Sequence, residues 1–292
     1  MPDGRQVTPL PWGRRYLMCP PDNFGVVYEI NPWMHTEVGP DPDLARAQFD
    51  NLVATLTASG AEVEMLPSET GLPDMVFTAN AGVVSGGAFV PARFRHPQRQ
   101  GETPLDTAWF RSNGYDVREL PAGGCQEGAG DALPIFSPGI RPVLVCGYRF
   151  RSDISTHGAI SSLLGVPTRS VELADDRFYH LDLCFCPLNG RRAMVASAGF
   201  DRYGMAVIES LVPEPLILDT EEALSFCANS VVVGDVVVMP ACPPRVGRIL
   251  ESWGFSVVVV DVGEFLKAGG GCRCLTLALD VDLSDTCDSQ AT

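Results

Sequence analysis

The segment Val231-Val232-Val233-Gly234-Asp235-Val236-Val237-Val238-Met239 contains two runs of β-branched residues on either side of a Gly-Asp pair. Two apolar runs joined by two turn-forming residues predict a β-hairpin. A helical pattern follows and ends at Gly254, and the next apolar run contains Val257. The order of elements in this part of the chain is therefore strand, strand, helix, strand.

This order recurs along the chain. At Gly60 and Gly114, as at Gly254, a helical pattern ends and a strand with valine three residues later begins. Looser copies of the junction lie at Gly165 and, with prolines in place of glycine, at Pro213 and Pro215. Hairpin-like turns precede four of the helices, at residues 85–87, 137–139, 189–190 and 234–235. The pattern predicts five β-β-α-β modules of about 50 residues each.

A module of this size cannot bury both faces of its own elements, so its neighbours must cover them. Five modules in a ring form one α/β domain with a central channel. The chain contains no Ser-, Gly- or Pro-rich linker that would divide it, so we expect a single domain over residues 1–292. The alternative is a mixed α/β fold with two separate sheets.

The composition indicates a globular protein, because 46% of the 292 residues are hydrophobic. The chain has no apolar run of about 18 residues and no signal-like apolar segment at its start, so we expect a cytoplasmic location. Its ten cysteines are then expected to be mostly reduced. A net charge of −15 disfavours nucleic acid and anionic membranes and favours a cationic small molecule. The sequence leaves open whether the protein forms a homo-oligomer.

A glycine run at Gly269–Gly271 adjoins an alternating Leu-Thr-Leu-Ala-Leu run that predicts a strand entering the core. Glycines let the backbone approach a ligand closely. Cys272 and Cys274 lie at this junction and, in strand geometry, point to the same side. The pattern leaves open which thiol reacts, or whether both are small apolar core residues. With Cys184 and Cys186 they can also be interpreted as a metal site, although C-x-C pairs lack the usual spacing of zinc ligands.

A reactive thiol needs a nearby base or cation, and a group that carries protons to the leaving group. His180 can fill both roles, although a lone histidine is also compatible with a structural role. His180 and Asp182 precede an alternating Leu-Cys-Phe-Cys run, and strand geometry would project them to one side. Glu127 lies in a Gly-rich loop, where its alternative role is that of a turn cap.

Five segments, in this order over nearly the full chain, are similar to those of the guanidine-group-modifying superfamily: MCPPDNFGVVYEINPWM, FTANAG, EGAGD, YHLD and GGGCRCLTL. The superfamily includes arginine deiminases, dimethylarginine dimethylaminohydrolases and amidinotransferases. The resemblance implies a five-bladed β/α propeller, the pentein fold, and a Cys-His-acid site for guanidinium substrates without a metal or other cofactor. The segments INPWM, FTANAG and YHLD are together most similar to arginine dihydrolases, which convert arginine to ornithine with loss of two ammonia and carbon dioxide.

The resemblance also implies roles for individual residues. Cys274 matches the nucleophile, His180 the acid/base, Glu127 a guanidinium-contacting carboxylate and Asp182 a second carboxylate. Four further substrate contacts are implied, namely Asn31, Asn80, Arg99 and Arg151. The two arginines are expected to bind the substrate carboxylate.

The chain departs from the family pattern at two positions. Asn80 stands where deiminases and dimethylarginine enzymes commonly have Asp, and the Glu127 motif has one residue more before Asp131 than the E-G-G-D form. A carboxylate only accepts hydrogen bonds and suits a guanidinium, whereas an amide can also donate to the oxygen of citrulline. We therefore expect two successive hydrolyses. The alternatives are a single-step guanidine hydrolase, an amidinotransferase, and a non-catalytic propeller that binds a ligand.

Overall fold

The computed structural model describes residues 7–284, which form short strands, α-helices and 3₁₀ turns. The strands are β1 (Arg15–Met18), β2 (Glu62–Met65), β3 (Gly82–Ser85), β4 (Ala88–Pro91), β5 (Asp116–Val117), β6 (Ala132–Ile135), β7 (Val143–Tyr148), β8 (Thr168–Glu172), β9 (Phe185–Pro187), β10 (Arg192–Ala196), β11 (Glu214–Leu218), β12 (Val231–Val233), β13 (Val236–Met239), β14 (Ser256–Val259) and β15 (Leu277–Ala278). The α-helices are α1 (Pro42–Ala58), α2 (Glu102–Ser112), α3 (His157–Leu164), α4 (Arg202–Leu211), α5 (Thr220–Leu224), α6 (Pro244–Ser252) and α7 (Gly263–Leu266).

The strands form five three-stranded sheets within the described residues. In each sheet the middle strand runs antiparallel to one neighbour and parallel to the other, with a helix between the two parallel strands. Four sheets use consecutive strands, from β3-β4-β5 to β12-β13-β14, while the remaining sheet has the order β15-β1-β2. The α/β class and the strand-strand-helix-strand order are therefore confirmed. The first module, which lacks a predicted hairpin, takes its first strand from the other end of the chain.

The four predicted hairpins and the first predicted helix are confirmed as well. The Asp41 carboxylate caps α1 by accepting hydrogen bonds from the Asp43 and Leu44 amides, and Pro42 occupies the first turn. Proline is tolerated there because the first amides of a helix have no intrahelical acceptor. The apolar face of α1 buries Phe49, Leu52 and Leu56, so the local sequence is sufficient to place this helix.

Two predicted strand segments near the candidate site are wrong. Residues 272–275 form a turn, and the strand is confined to Leu277–Ala278. Similarly, Leu181–Leu183 is a 3₁₀ turn preceded by His180 in an extended conformation. Distant side chains accept the hydrogen bonds that a strand would have used, as shown by the Asp131 carboxylate, which accepts from the Leu181 amide at 3.0 Å. Tertiary contacts therefore override the alternation of apolar residues in both segments.

The described cysteines are all free thiols, and most of them are buried. Cys287, which completes the ten, lies outside the described residues. Between residues 7 and 284, no three His, Cys, Asp or Glu side chains group in a way that could hold a metal ion. In the same range, no helix is long and apolar enough to cross a membrane.

Candidate active site

A small cavity brings together residues from distant parts of the chain. It measures about 10 Å³, the space of roughly one water molecule. Its lining residues are Asn31, Met34, Asp74, Phe77, Asn80, Arg99, Arg151, Tyr179, Ala268 and Cys274. Five of the residues nominated from the sequence are thus brought to one place, and the other three, Glu127, His180 and Asp182, contact members of this lining.

Cys274 presents its sulfur to two polar groups. The Asn229 side-chain amide donates to Sγ at 3.1 Å, and Asp182 Oδ2 lies 3.5 Å from it. Burial, assisted by the negative charge of Asp182, raises the pKa of the thiol well above its usual value. Cys274 is therefore a protonated thiol near neutral pH, and it needs a positive charge nearby to become a thiolate.

Cys272 has a different environment. It is fully buried, no other residue's side chain acts on its thiol among the described residues, and burial raises the pKa of the thiol. Cys272 also does not line the cavity. Of the two thiols between which the residue pattern does not decide, Cys274 is therefore the one that lines the cavity.

His180 is joined to Glu127 and, through it, to Arg151. His180 Nε2 lies 2.9 Å from Glu127 Oε2, which also accepts from Arg151 Nη1 at 2.8 Å. Burial disfavours a charged Glu127, but Arg151 and His180 outweigh it and hold the pKa of this carboxyl below its usual range. An ionised carboxylate can only accept, so His180 Nε2 carries the proton and Nδ1 is the unprotonated ring nitrogen.

Burial lowers the pKa of His180 to about 4 despite the opposing influence of Glu127, so the imidazole is neutral near pH 7. The alternative role of Glu127 as a turn cap is not what the structure shows, because its side chain makes no capping hydrogen bond. Both of its oxygens have protein partners, since Oε1 accepts from the Arg95 amide at 3.1 Å. Glu127 is thus placed to orient His180.

Asn80 is held in one orientation by two partners. Its Oδ1 accepts from Arg99 Nη1 at 2.8 Å, and its Nδ2 donates to the Glu127 carbonyl at 3.2 Å. Gly130 packs against this amide so closely that a Cβ added there would lie 2.3 Å from Asn80 Nδ2. One Nδ2 proton of Asn80 remains for a ligand in the cavity.

The two nominated arginines are both buried and anchored. Arg99 forms paired hydrogen bonds of 2.8 Å with each oxygen of Glu102, and its guanidinium lies 4.5 Å from the centre of the Phe94 ring. Arg151 donates to the Ile30 carbonyl at 2.9 Å in addition to Glu127. Each arginine therefore presents only part of its guanidinium to the cavity.

Asn31 links the N-terminal loop to the glycine run. Its Nδ2 donates to the Ala268 carbonyl at 3.0 Å, and its Oδ1 accepts from the Trp33 amide at 2.9 Å. The hydroxyl of Tyr179 donates to the Gly269 carbonyl at 2.9 Å. The glycine run is buried and closely packed, because a Cβ added at Gly270 would lie 2.3 Å from the Phe77 ring.

No protein-family model matches the chain. The chain is 43% identical over 266 residues to the bifunctional arginine dihydrolase/ornithine cyclodeaminase ArgZ of Synechocystis, covering 90% of this chain and 37% of ArgZ. It is 37% identical over 276 residues to N(G),N(G)-dimethylarginine dimethylaminohydrolase of Mycobacterium tuberculosis, covering 94% of this chain and 89% of that enzyme. The chain belongs to the guanidine-modifying superfamily. The resemblance inferred from the sequence segments is therefore confirmed.

Solved structures of this superfamily agree with the fold. The N-terminal domain of ArgZ, an arginine dihydrolase from cyanobacteria, bound to substrate superposes with a TM-score of 0.87 at 41% identity, covering 92% of this chain and 99% of that one. A dimethylarginine dimethylaminohydrolase adduct with S-methyl-L-thiocitrulline superposes with a TM-score of 0.76 at 21% identity, covering 91% and 99%, which shows a shared fold alone. The chain spans less than two fifths of the length of full ArgZ.

Asn229 is the main residue at the site of this guanidine-modifying protein that sequence reasoning missed. Its Oδ1 accepts from the backbone amides of Gly271, Arg273 and Cys274 at 3.0 to 3.2 Å, and its Nδ2 donates to the Asp182 carbonyl and to Cys274 Sγ. It follows α5 and precedes β12, where the only signal in the sequence is a polar Asn-Ser pair before a valine run.

Asp74 was also not assigned a role. It is 1% exposed, its Oδ1 has no hydrogen-bond partner among the described residues, and it lines the cavity. Burial raises the pKa of Asp74, while Arg99 opposes this shift. An acidic residue ahead of the FTANAG segment was visible in the sequence, but its burial was not.

Proposed function

We propose that this protein is a cysteine-dependent guanidine hydrolase that converts arginine to ornithine, carbon dioxide and two ammonia. The observation that carries the proposal is the position of the Cys274 thiol, 3.5 Å from the Asp182 carboxylate, at a cavity that is also lined by Asn80. The names of the relatives that cover most of this chain, an arginine dihydrolase and a dimethylarginine dimethylaminohydrolase, support the same reaction class.

The charges around the cavity match an amino acid with a guanidinium at its far end. Arg99 and Arg151 supply donors for the substrate carboxylate, and Asp74 supplies an unpartnered acceptor for its α-amino group. Asp182 receives the guanidinium beside Cys274. A cavity of about 10 Å³ does not hold arginine, so the lining must open for binding and enclose the substrate afterwards.

The first half-reaction begins with the substrate charge. A guanidinium beside Cys274 favours the thiolate, and the thiol proton passes to neutral His180. The thiolate then attacks the central guanidinium carbon and forms a C–S bond. His180 returns the proton to the departing nitrogen, the C–N bond breaks, and ammonia leaves a covalent S-alkylthiouronium.

The second half-reaction runs the proton transfers in reverse. Neutral His180 removes a proton from water, the hydroxide attacks the same carbon, and the C–S bond breaks with recovery of the thiol and formation of the ureido group. Glu127 keeps Nδ1 of His180 available by binding Nε2. The ureido product, citrulline, then passes through the same two steps and loses ammonia and carbon dioxide to give ornithine.

Asn80 allows the second round because an amide suits both substrates. Its remaining Nδ2 proton can donate to the citrulline oxygen, whereas a carboxylate at this position could only accept. A single hydrolysis of methylated arginine is the second candidate, and the specific observation in its favour is the match to the dimethylarginine enzyme over 89% of its length.

We further infer that the five sheets are the blades of a propeller, the pentein fold, in a single domain over residues 1–292. Support comes from the surroundings of Arg273, which lines two small cavities that contain residues from all five sheets. An arrangement around one axis accounts for this convergence on one side chain.

The decisive experiment is product analysis. The purified protein is incubated separately with arginine, citrulline and N(G),N(G)-dimethylarginine, and ammonia, dimethylamine, citrulline and ornithine are quantified by chromatography. The proposal predicts two ammonia per ornithine from arginine, with Cys274→Ala as the inactive control. Arrest at citrulline, or activity on dimethylarginine alone, would replace the dihydrolase with the single-step enzyme.

A further inference from the structure

Arg273 lies between the two cysteines of the GGGCRCLTL segment but points away from the cavity described above. Its side chain is 6% exposed and does not line that cavity. It instead lines two other small cavities, one beside Tyr16 and Phe185 and one beside Val83 and Leu277. Arg273 therefore lies at the centre of the five sheets, behind the nucleophile.

The guanidinium of Arg273 has few partners for a buried cation. Its Nη1 donates to the Thr276 carbonyl at 3.4 Å, and its Cζ lies 5.6 Å from the centre of the Trp12 ring. Between residues 7 and 284 no carboxylate lies within 4 Å of it, in contrast to Arg99 and Arg151. Arginine cannot lose its proton in a protein, so burial without an ion pair is unfavourable and calls for an explanation.

A second buried charge without an ion pair in the described part of the chain, Asp182, lies beside Cys274. Asp182 is 0% exposed and is likewise without an ion pair among the described residues, and its Oδ1 has no hydrogen-bond partner. The backbone amides of Arg273 and Cys274 are bound by the same atom, Asn229 Oδ1, and Asn229 also binds the Asp182 carbonyl. One side chain thus holds the backbone at Arg273, Cys274 and Asp182 together.

We propose that Arg273 is a positioning residue whose charge holds Asp182 as a carboxylate, ready to receive a cationic guanidinium, without touching the substrate itself. This inference rests on the proposed function for the identity of the substrate. The pairing of charges rests on the burial of both groups, on the lack of any other ion pair for either of them among the described residues, and on their shared contacts with Asn229. This role gives a reason for the burial of the Arg273 guanidinium at a position without an ion pair among the described residues.

Asp182 changes between its protonated and ionised forms near neutral pH. Burial raises the pKa of Asp182 to about 7, and Arg273 is the largest influence that opposes this shift. The other titratable groups whose charges act on Asp182, or on which it acts, are Cys274, Cys184, Cys186, Asp131 and Tyr179. Arg273 is the cation in this set, and Tyr179, with a pKa raised well above its usual value, stays neutral. Removal of Arg273 should therefore move the ionisation of Asp182 to higher pH.

The test uses two thiol reagents of the same shape and different charge, the cation 2-chloroacetamidine and the neutral 2-chloroacetamide. In both reactions the Cys274 thiolate displaces chloride, so the ionisation of the thiol cancels in the ratio of the two inactivation rates. That ratio reports the charge of Asp182, and it is measured from pH 5 to pH 9 by mass spectrometry of the Cys274 peptide.

In the wild type the ratio should rise with pH through about 7. Arg273→Met should move this midpoint upward by about one pH unit or more. At pH values below the wild-type midpoint, the ratio for the variant should then be roughly one tenth of the wild-type ratio. Arg273→Lys, which keeps the charge, should retain most of the wild-type profile. Asp182→Asn should abolish the pH dependence, and Arg273→Met should add nothing in that background.

Thermal unfolding separates this role from a structural one. At pH 5, where Asp182 is protonated and the Arg273 charge has no carboxylate to act on, Arg273→Met should be at least as stable as the wild type. An unchanged midpoint in Arg273→Met, or a loss of reactivity that follows a fall in Tm, would overturn the inference. A normal ratio profile in a protein that releases no ammonia from arginine would instead reject the proposed function and leave the charge pairing intact.

Discussion

At the scale of single residues, the environment of each thiol separates Cys274 from Cys272. We expect Cys274→Ala to abolish ammonia release, since the nucleophile is lost, and Cys272→Ala to retain most activity with a loss of about 1 kcal/mol for the small cavity it leaves. Intact-mass analysis of quenched wild-type enzyme should show an adduct on the Cys274 peptide. Equal loss of activity in folded samples of both variants would contradict the assignment.

Asn80 tests how the site distinguishes a guanidinium from a ureido group. In Asn80→Asp an ion pair with Arg99 replaces a neutral hydrogen bond, but the donor to the Glu127 carbonyl, 3.2 Å away, is lost. A carboxylate that faces the citrulline oxygen without a donor costs about 1–3 kcal/mol, or roughly ten- to a hundredfold in the second hydrolysis. Citrulline should accumulate, measured as the citrulline-to-ornithine ratio, with Asn80→Ser as a variant that keeps a donor.

The ionisation of Asp182 makes the free energy of unfolding depend on pH. Its pKa, raised by burial to about 7, exceeds the value of about 4 in an unfolded chain. The folded state therefore binds more protons between these values, and the contribution of this group to stability is present below about pH 4 and is lost as pH rises through about 7. Asp182→Asn should be more stable than the wild type at pH 8, by a few kcal/mol at most, and similar at pH 4.

Urea titrations at the two pH values measure this difference. Glu102, whose pKa burial also raises to about 7, remains in both proteins and cancels in the comparison. A constant difference between the variant and the wild type at both pH values would show that Asp182 ionises normally.

At the scale of elements, the turn at residues 272–275 depends on a side chain from the loop before β12. Asn229→Ala leaves the buried backbone amides of Gly271 and Cys274 without their acceptor and removes the donor to Cys274 Sγ, while the Arg273 amide keeps the Asn229 backbone carbonyl. At about 1–3 kcal/mol for each unsatisfied amide, the variant should lose at least about 2 kcal/mol of stability and most activity.

Asn229→Asp is the matched control. It keeps an acceptor for the three amides and replaces the donor to Cys274 with an oxygen, so it should be more stable than Asn229→Ala and raise the pH at which Cys274 reacts with chloroacetamide. Unfolding curves and alkylation rates measure the two effects. Equal stability of both variants would show that the amide contacts do not hold the turn.

At the scale of the whole molecule, the two ends of the described chain meet in one sheet. β15 pairs with β1 through Tyr16 opposite Ala278, and the Asp280 carboxylate accepts from the Gly13 and Arg14 amides at 3.0 and 2.8 Å. A circular permutant, with its ends joined and new ends in the exposed turn at residues 138–141, should therefore fold and keep ammonia release within a few-fold of the wild type.

Removal of residues 277–292 is the comparison for the permutant, because it deletes β15 from the first sheet. This truncated chain should show a lower Tm and no activity. A permutant that folds with the wild-type Tm but is inactive would show that chain continuity at residues 138–141 positions the site.

Much of the candidate site was assigned by sequence, because Cys274, His180 and Glu127 fall in segments that resemble a known superfamily. The residue pattern alone was less informative. Strand geometry placed both cysteines on one face and grouped His180 with Asp182, whereas the structure pairs His180 with Glu127 and Asp182 with Cys274. The pattern failed there because partners from distant segments hold the backbone in turns.

The hairpins, the end of α1 and the order of the modules were determined by the sequence itself, since turn residues, helix caps and apolar spacing act over a few neighbouring positions. Which thiol faces Asp182, which carboxylate binds Arg99 and where Arg273 lies were decided only by the tertiary structure. These features depend on burial and on hydrogen bonds between segments far apart in the chain, as with Asn229 and Cys274, and no local pattern encodes them.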